Sequence, residues 1–363
     1  MITISLCMIV KNEEKTLANC LNSVKDIADE IIIVDTGSTD KTKEIARNFT
    51  NKIYDFQWID DFSAARNFAF EKAQMDYQLW LDADDIIDNE NRQKLKTLKQ
   101  NLSQDIDVVM MWYNTGFDTD GNVTFRYYRE RLLKQSRNFR WAEPIHECIP
   151  YFGKVIYSDI SITHRKDYSE KSVEKDRNLK IYEKLLSMGK VLSPRGQYYY
   201  SRELKDNGFY EKAIKSFTKF LESDFGWKED KINACLEAAN CLKTLNKYND
   251  ALLFLYKSFQ YDLPRAEICC NLAYIYKALG DYKKAIFWFE TAIYSGEFSP
   301  KTGFVQEDYK LYIPSLELAV CYDFLGSTQK AIKYNETAGS LKPKSPAYLH
   351  NKKYFENKTN QNN

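Results

Sequence analysis

The chain has 363 residues and carries 52 basic against 51 acidic side chains, a formal net charge of +1. That balance gives no support to a nucleic-acid or acidic-membrane partner, which would call for a basic excess. No apolar run approaches the roughly 20 residues that span a bilayer, and the first residues lack the basic region, apolar core and cleavage site of a secretory signal, so a cytoplasmic protein is expected.

The first half alternates strand and helix patterns. Residues 2–10 read as a strand, broken by Lys11-Asn12-Glu13-Glu14, and residues 16–24 carry apolar side chains at helical spacing. Residues 30–35 are a second strand, β-branched and fit for burial on both faces of a parallel sheet. The small residues Thr36 to Asp40 cap a helix over 41–49. A short strand follows at 52–56, then a helix over 63–73 capped by Ser63. Residues 77–81 form a buried strand that ends abruptly in Asp82, Asp84 and Asp85.

This order predicts a doubly wound parallel sheet with a crevice at the strand ends after Val10, Asp35 and Leu81. Asp82 and Asp84, two apart on an extended chain, would share a face there. Two hard oxygen ligands suit Mg²⁺ or Mn²⁺ holding a phosphate-bearing substrate. The bland alternative is an acidic helix N-terminus behind a strand, with Asp85 capping a helix near Asn89. Beyond it, residues 106–113 and 123–127 make a hairpin around the turn at 118–122, and residues 131–133 a further strand. An alternating strand ends at His164.

Val10-Lys11-Asn12-Glu13, Val34-Asp35-Thr36-Gly37-Ser38-Thr39-Asp40, Ala65-Arg66-Asn67 and Leu81-Asp82-Ala83-Asp84-Asp85 together resemble the family 2 glycosyltransferases of GT-A fold. The likeness covers roughly residues 1–164 of a domain expected over 1–166. It implies a UDP-sugar lying across the strand ends. Asn12 and Glu13 would shape the nucleotide pocket, and Asp35 would accept from uracil or ribose, unless it merely starts its turn. Arg66 would pair with phosphate or stack on the base, unless it is a surface arginine. Asp84 would bind the Mn²⁺ or Mg²⁺ that bridges the diphosphate. Asp82 would contact ribose, sugar or the cation. Trp141-Ala142-Glu143-Pro144-Ile145-His146-Glu147 resembles the W-x-x-x-(V/I)-H-E segment of one branch, where the acceptor enters. Glu147 is the first choice of general base and Glu143 the second, with His146 assisting or orienting the acceptor. His164 would be a late metal ligand, with His146 competing for that role.

Residues 167–194 read as a linker helix. Over 195–356 a repeat recurs, its marker alanines at Ala213, Ala251, Ala285 and Ala331, at intervals of 38, 34 and 46. Ala239, Ala273 and Ala319 each precede the next marker by 12. The pattern resembles the tetratricopeptide repeat. Its small residues let paired helices approach, so these are core positions. The longest interval implies an insertion over 297–314, and residues 357–363 a polar, frayed tail. The eight cysteines include no C-x-x-C pair and are expected as buried, reduced thiols.

A sugar transferase joined to a peptide-binding solenoid resembles bacterial enzymes that glycosylate Cys or Ser of bacteriocin precursors, and flagellin glycosyltransferases. The expected reaction is an inverting, metal-dependent transfer of glucose or N-acetylglucosamine from UDP to Ser, Thr or Cys of a peptide or protein. Alternatives are the same chemistry on a saccharide of lipopolysaccharide, capsule or cell wall, and a non-catalytic repeat scaffold. A homodimer is left open, since repeat domains often pair.

Overall fold

Strand β1 (Ile4–Val10) lies between β2 (Glu30–Asp35) and β4 (Tyr77–Trp80), parallel to both, with β3 (Ile53–Asp55) outside β2. These strands belong to a unit spanning Met1–Glu174 in the computed structural model, which describes residues 1–165, 176–296 and 303–361. Helices α1 (Leu17–Val24), α2 (Thr42–Arg47), α3 (Phe62–Lys72) and α4 (Asn89–Asn101) complete the unit, with strands β5 (Asp85–Ile86), β6 (Val108–Phe117), β7 (Val123–Lys134) and β8 (Val155–His164). The sheet order is β3-β2-β1-β4-β7-β6-β8-β5.

Successive side chains on a strand point to opposite faces, and here both faces are covered. Ile31 and Ile33 join the core with Leu17, Leu21 and Leu95 from α1 and α4. Ile32 and Val34 join Ala69 and Phe70 of α3, Trp80 and Trp141 on the other side. Register aligns the ends of β1 and β2, Val10 pairing with Asp35, while β4 ends at Trp80 opposite Cys7.

The parallel pairing expected from the alternation holds for β3-β2-β1-β4 and for the pair β6 and β8, but not throughout the sheet. β7 runs antiparallel to β4 and to β6, because the 118–122 turn makes β6 and β7 a hairpin. The separate strand expected at 131–133 is the end of β7. Two caps also move. Asp61, not Ser63, accepts from the Ala64 amide at the start of α3. Asp88, not Asp85, caps α4 through the Asn91 amide.

The second unit, Lys175–Asn363, is helical. Helix α5 (Arg177–Ser187) lies in the stretch expected as a linker; residues 167–175 of that stretch fall outside the described residues. Then α6 (Pro194–Asp206) pairs with α7 (Tyr210–Glu222), α8 (Lys228–Thr244) with α9 (Tyr248–Lys257), and α10 (Ala266–Ala278) with α11 (Tyr282–Gly296). A short α12 (Glu307–Lys310) precedes the pair α13 (Tyr312–Phe324) and α14 (Thr328–Leu341), and α15 (Pro346–Gln361) follows. The marker alanines and the alanines 12 before them are fully buried. Of the expected insertion, residues 297–302 lie outside the described residues; its end holds α12 and the start of α13. The expected tail continues α15 as far as Gln361. Seven cysteines are buried and Cys148 is half-buried, all as free thiols. Among the described residues no helix is long and apolar enough to cross a membrane.

Candidate functional site

The chain leaves β4 at Trp80 and turns through the acidic run. Asp85 is 0 % exposed. Its Oδ2 accepts from Arg131 Nη1 at 2.9 Å and from the Asp82 amide at 3.0 Å, and its Oδ1 from the Tyr113 hydroxyl at 2.9 Å. Arg131 is equally buried and also donates to the Trp80 carbonyl at 3.1 Å. Its guanidinium lies 3.7 Å from the Trp80 ring centroid and 4.3 Å from that of Tyr113. So Asp85 is no helix cap, but the buried anchor of the acidic turn.

Asp84 points the other way and is partly exposed. Its Oδ1 is 3.2 Å from His164 Nδ1, which also lies 2.9 Å from the Tyr113 hydroxyl and 3.4 Å from Asp85 Oδ1. β5 and β8 bring them together by pairing Asp85 with His164. Burial opposes charge on this imidazole, but Asp84 and Asp85 outweigh it and push it up to about 10. Ligand atoms of Asp84, Asp85 and His164 all lie within 4.8 Å of one another. This group holds His164 and not His146. Asp82, expected beside them, is taken up elsewhere.

Asp82 Oδ1 accepts from Arg66 Nη2 at 2.7 Å, and Glu147 Oε1 from Arg66 Nε at 2.6 Å. Arg66 is 7 % exposed, its guanidinium 5.2 Å from the Trp80 ring centroid and 4.7 Å from that of Trp141. It is therefore a buried clamp between two carboxylates, not a surface arginine. Burial alone would raise the Asp82 pKa; Arg66 and Arg131 more than offset this and hold it below the usual carboxylate range. Asn67 brackets the Trp141 backbone, accepting from its N–H at 2.8 Å and donating to its carbonyl at 3.0 Å. Ala142 and Cys148 exchange backbone hydrogen bonds at 2.8 and 3.1 Å, closing the loop that carries Glu143, His146 and Glu147. Glu143 (φ 73°) and His146 (φ 53°) are both left-handed. Non-glycine residues in that region store strain, and such strain gathers at functional sites. The structure sets Glu147 on Arg66 and leaves Glu143 and His146 half-buried in the same loop.

At the end of β2, Asp35 is buried. Its Oδ1 accepts from the Gly37 and Ser38 amides, both at 2.9 Å, while its Oδ2 is buried without a partner. One oxygen thus starts the turn and the other is left as an acceptor. The β1 and β2 loops are laced together. Asn12, itself left-handed at φ 56°, donates its amide to Ser38 Oγ at 2.9 Å and accepts from the Thr39 amide at 2.8 Å. Glu13 accepts from Thr16 Oγ1 at 2.5 Å; burial, with Asp84, Asp82 and Asp40 nearby, raises its pKa against the lowering by Thr16. Beside Asp84 opens a cavity of about 570 Å³ reached by Thr16, Asn19, Arg92 and Arg165.

The sequence offers Asp85 only as a helix cap and gives no role to Tyr113 or Arg131. The one signal for them was an arginine inside an otherwise apolar strand end, Arg131-Leu132-Leu133.

Residues 5–156 match the family described as Glycosyl transferase family 2, and residues 266–295 match the Tetratricopeptide repeat. A TPR repeat-containing protein of Synechococcus elongatus is 37 % identical over 149 residues, covering 41 % of this chain and 36 % of that protein. The SPbeta prophage-derived glycosyltransferase SunS of Bacillus subtilis is 27 % identical over 299 residues, covering 76 % of this chain and 66 % of that protein. The chain thus spans between about a third and two thirds of these relatives' length. The crystal structure of MamA aligns with 45 % of this chain and 86 % of its own, at 19 % identity and a TM-score of 0.37.

Proposed function

From the premise of a family 2 glycosyltransferase domain with tetratricopeptide repeats behind it, we propose that the chain is an inverting, divalent-cation-dependent hexosyltransferase. It moves glucose or N-acetylglucosamine from UDP to a Ser, Thr or Cys side chain of a peptide or protein held by the repeats, in the cytoplasm. The observation that carries this reading lies in the residues at and beyond the carboxyl ends of β2 and β4. There Asp35 keeps a buried, unpartnered oxygen, and Asp84 and His164 approach within 3.2 Å.

The donor set fits a hard or borderline cation such as Mg²⁺ or Mn²⁺. Asp84 and His164 would hold it, while Asp82 stays on Arg66. When bound, it supplies charge neutralisation for the departing diphosphate. The remaining work falls to the chain itself. Asp35 Oδ2 accepts an N–H or O–H of the nucleoside, because an ionised carboxylate only accepts. Arg66 fixes Asp82 against Glu147 and so ties the donor side to the acceptor loop. Glu147 takes the acceptor proton as the oxygen or sulfur attacks the anomeric carbon. A thiol acceptor asks less of that base, because its thiolate forms nearer neutrality.

In the solenoid unit, neighbouring first helices of each pair are joined by polar contacts: Lys205 to Glu237 at 2.6 Å, Lys243 to Asn271 at 2.7 Å and Lys277 to Glu317 at 2.5 Å. A face of amide and charged groups supports a peptide ligand, whose backbone offers donors and acceptors. The test is mass spectrometry of peptides incubated with the protein, Mn²⁺ and a panel of nucleotide-sugars. A hexose or N-acetylhexosamine increment on Ser, Thr or Cys is expected. Label confined to saccharide acceptors would replace the acceptor class, and no UDP affinity in Mn²⁺ would reduce the protein to a scaffold.

A further inference from the structure

Asp85, Tyr113 and Arg131 form a buried knot for which the reaction above has no use. Asp85 and Arg131 are 0 % exposed and Tyr113 is 6 % exposed. Both oxygens of Asp85 are committed, Oδ2 to Arg131 and the Asp82 amide and Oδ1 to Tyr113. Such a carboxylate is a poor metal ligand, although its oxygen lies within 4.8 Å of ligand atoms of Asp84 and His164.

The Tyr113 hydroxyl stands 2.9 Å from Asp85 Oδ1 and 2.9 Å from His164 Nδ1. It has one proton to give. A carboxylate only accepts, so that proton goes to Asp85, and the tyrosine oxygen turns its lone pairs to the imidazole. His164 Nδ1 must then carry a proton. The ring is thus held through Nδ1. A ligating histidine commonly donates its far N–H to just such an oxygen, which fixes tautomer and ring orientation. Arg131 completes the device. One of its nitrogens holds both Asp85 and the last carbonyl of β4, so the acidic turn and the histidine share one anchor.

Resting on the reading of these strand ends as a cation–diphosphate site, we infer that Asp85, Tyr113 and Arg131 are positioning residues. They hold the His164 ring through Nδ1 and fix it beside Asp84, and Asp85 is not itself a ligand.

The test uses the full chain and Mn²⁺, titrated by electron paramagnetic resonance with and without UDP. Tyr113→Phe keeps the ring against Arg131 (4.3 Å) and His164 (5.6 Å) and removes only the hydroxyl. Mn²⁺ binding is expected to weaken by about 10- to 100-fold, with a weaker imidazole ¹⁴N coupling and an unchanged melting temperature. Asp85→Asn removes more but leaves Arg131 buried without its anion and can fail to fold, so Tyr113→Phe decides. Parent-like Mn²⁺ affinity and ¹⁴N coupling in that variant overturn the inference alone. Weaker binding accompanied by a large fall in melting temperature also overturns it, since the role would then be structural. No Mn²⁺ binding by the unaltered chain overturns it together with the reading beneath it.

Discussion

Replacing Arg66 by Met tests whether the donor and acceptor sides are physically joined. The change keeps an unbranched apolar stem between Trp80 and Trp141 but removes two charge-assisted hydrogen bonds, at 2.7 Å to Asp82 and 2.6 Å to Glu147. Each such bond contributes about 1.5–3 kcal/mol. The side chains of Asp82 and Glu147 are 31 % and 14 % exposed, so water recovers part of that loss. A net cost of about 2–4 kcal/mol remains. In a unit of this size it lowers the melting temperature by about 5–12 °C. Arg66→Lys, which keeps the cation but reaches one carboxylate, should lose about half as much.

The assay is thermal unfolding of both variants, with a cycle combining Arg66→Met and Glu147→Gln to isolate a coupling of about 1–3 kcal/mol. The pH dependence has a definite sign. Asp82 is held below its unfolded value, so its contribution is fully present above about pH 4 and is lost as pH falls through the folded value near 2. The gap between parent and Arg66→Met should therefore narrow in acid. A melting temperature within about 1 °C of the parent, with no coupling to Glu147, would refute the clamp.

Asp84→Ala should abolish cation-dependent UDP binding, read by isothermal titration with UDP and Mn²⁺, while leaving the circular dichroism spectrum unchanged, since the side chain is partly exposed. Glu147→Gln should keep donor affinity and lose about 10²- to 10⁴-fold in transfer rate; unchanged turnover would hand the base role to Glu143 or to the acceptor. In the solenoid, a Cβ added at Gly339 would sit 2.3 Å from Cε2 of the buried Tyr348. Gly339→Ala should thus cost about 1–3 kcal/mol by overpacking, read as an earlier melt of the helical unit.

Much of the fold was legible because its signals are local. Residues 31–34 are all β-branched and read as a buried strand, and the acidic run behind Trp80 marks a strand end whatever lies beside it. The alanine markers announce helix pairs because no larger side chain fits where two helices touch. Caps were less legible: Asp61 and Ser63, or Asp85 and Asp88, are equally good capping residues two or three apart, and only backbone geometry chooses between them.

By itself, then, the chain's order of residues determined two units, the strand ends that bear Asp35, Asp82 and Asp84, and a helical repeat. Tertiary structure alone decided what those carboxylates face. β7 lies next to β4 and not in chain order, so Arg131 reaches Asp85 across 46 residues and converts it from a cap into an anchor. The Trp141 segment folds back on α3, so Arg66 meets Glu147 across 81 residues. Local patterns record propensity and burial, which act over one turn or one strand. Ion pairs and hydrogen bonds depend on which elements become neighbours, and that is settled only when the sheet closes.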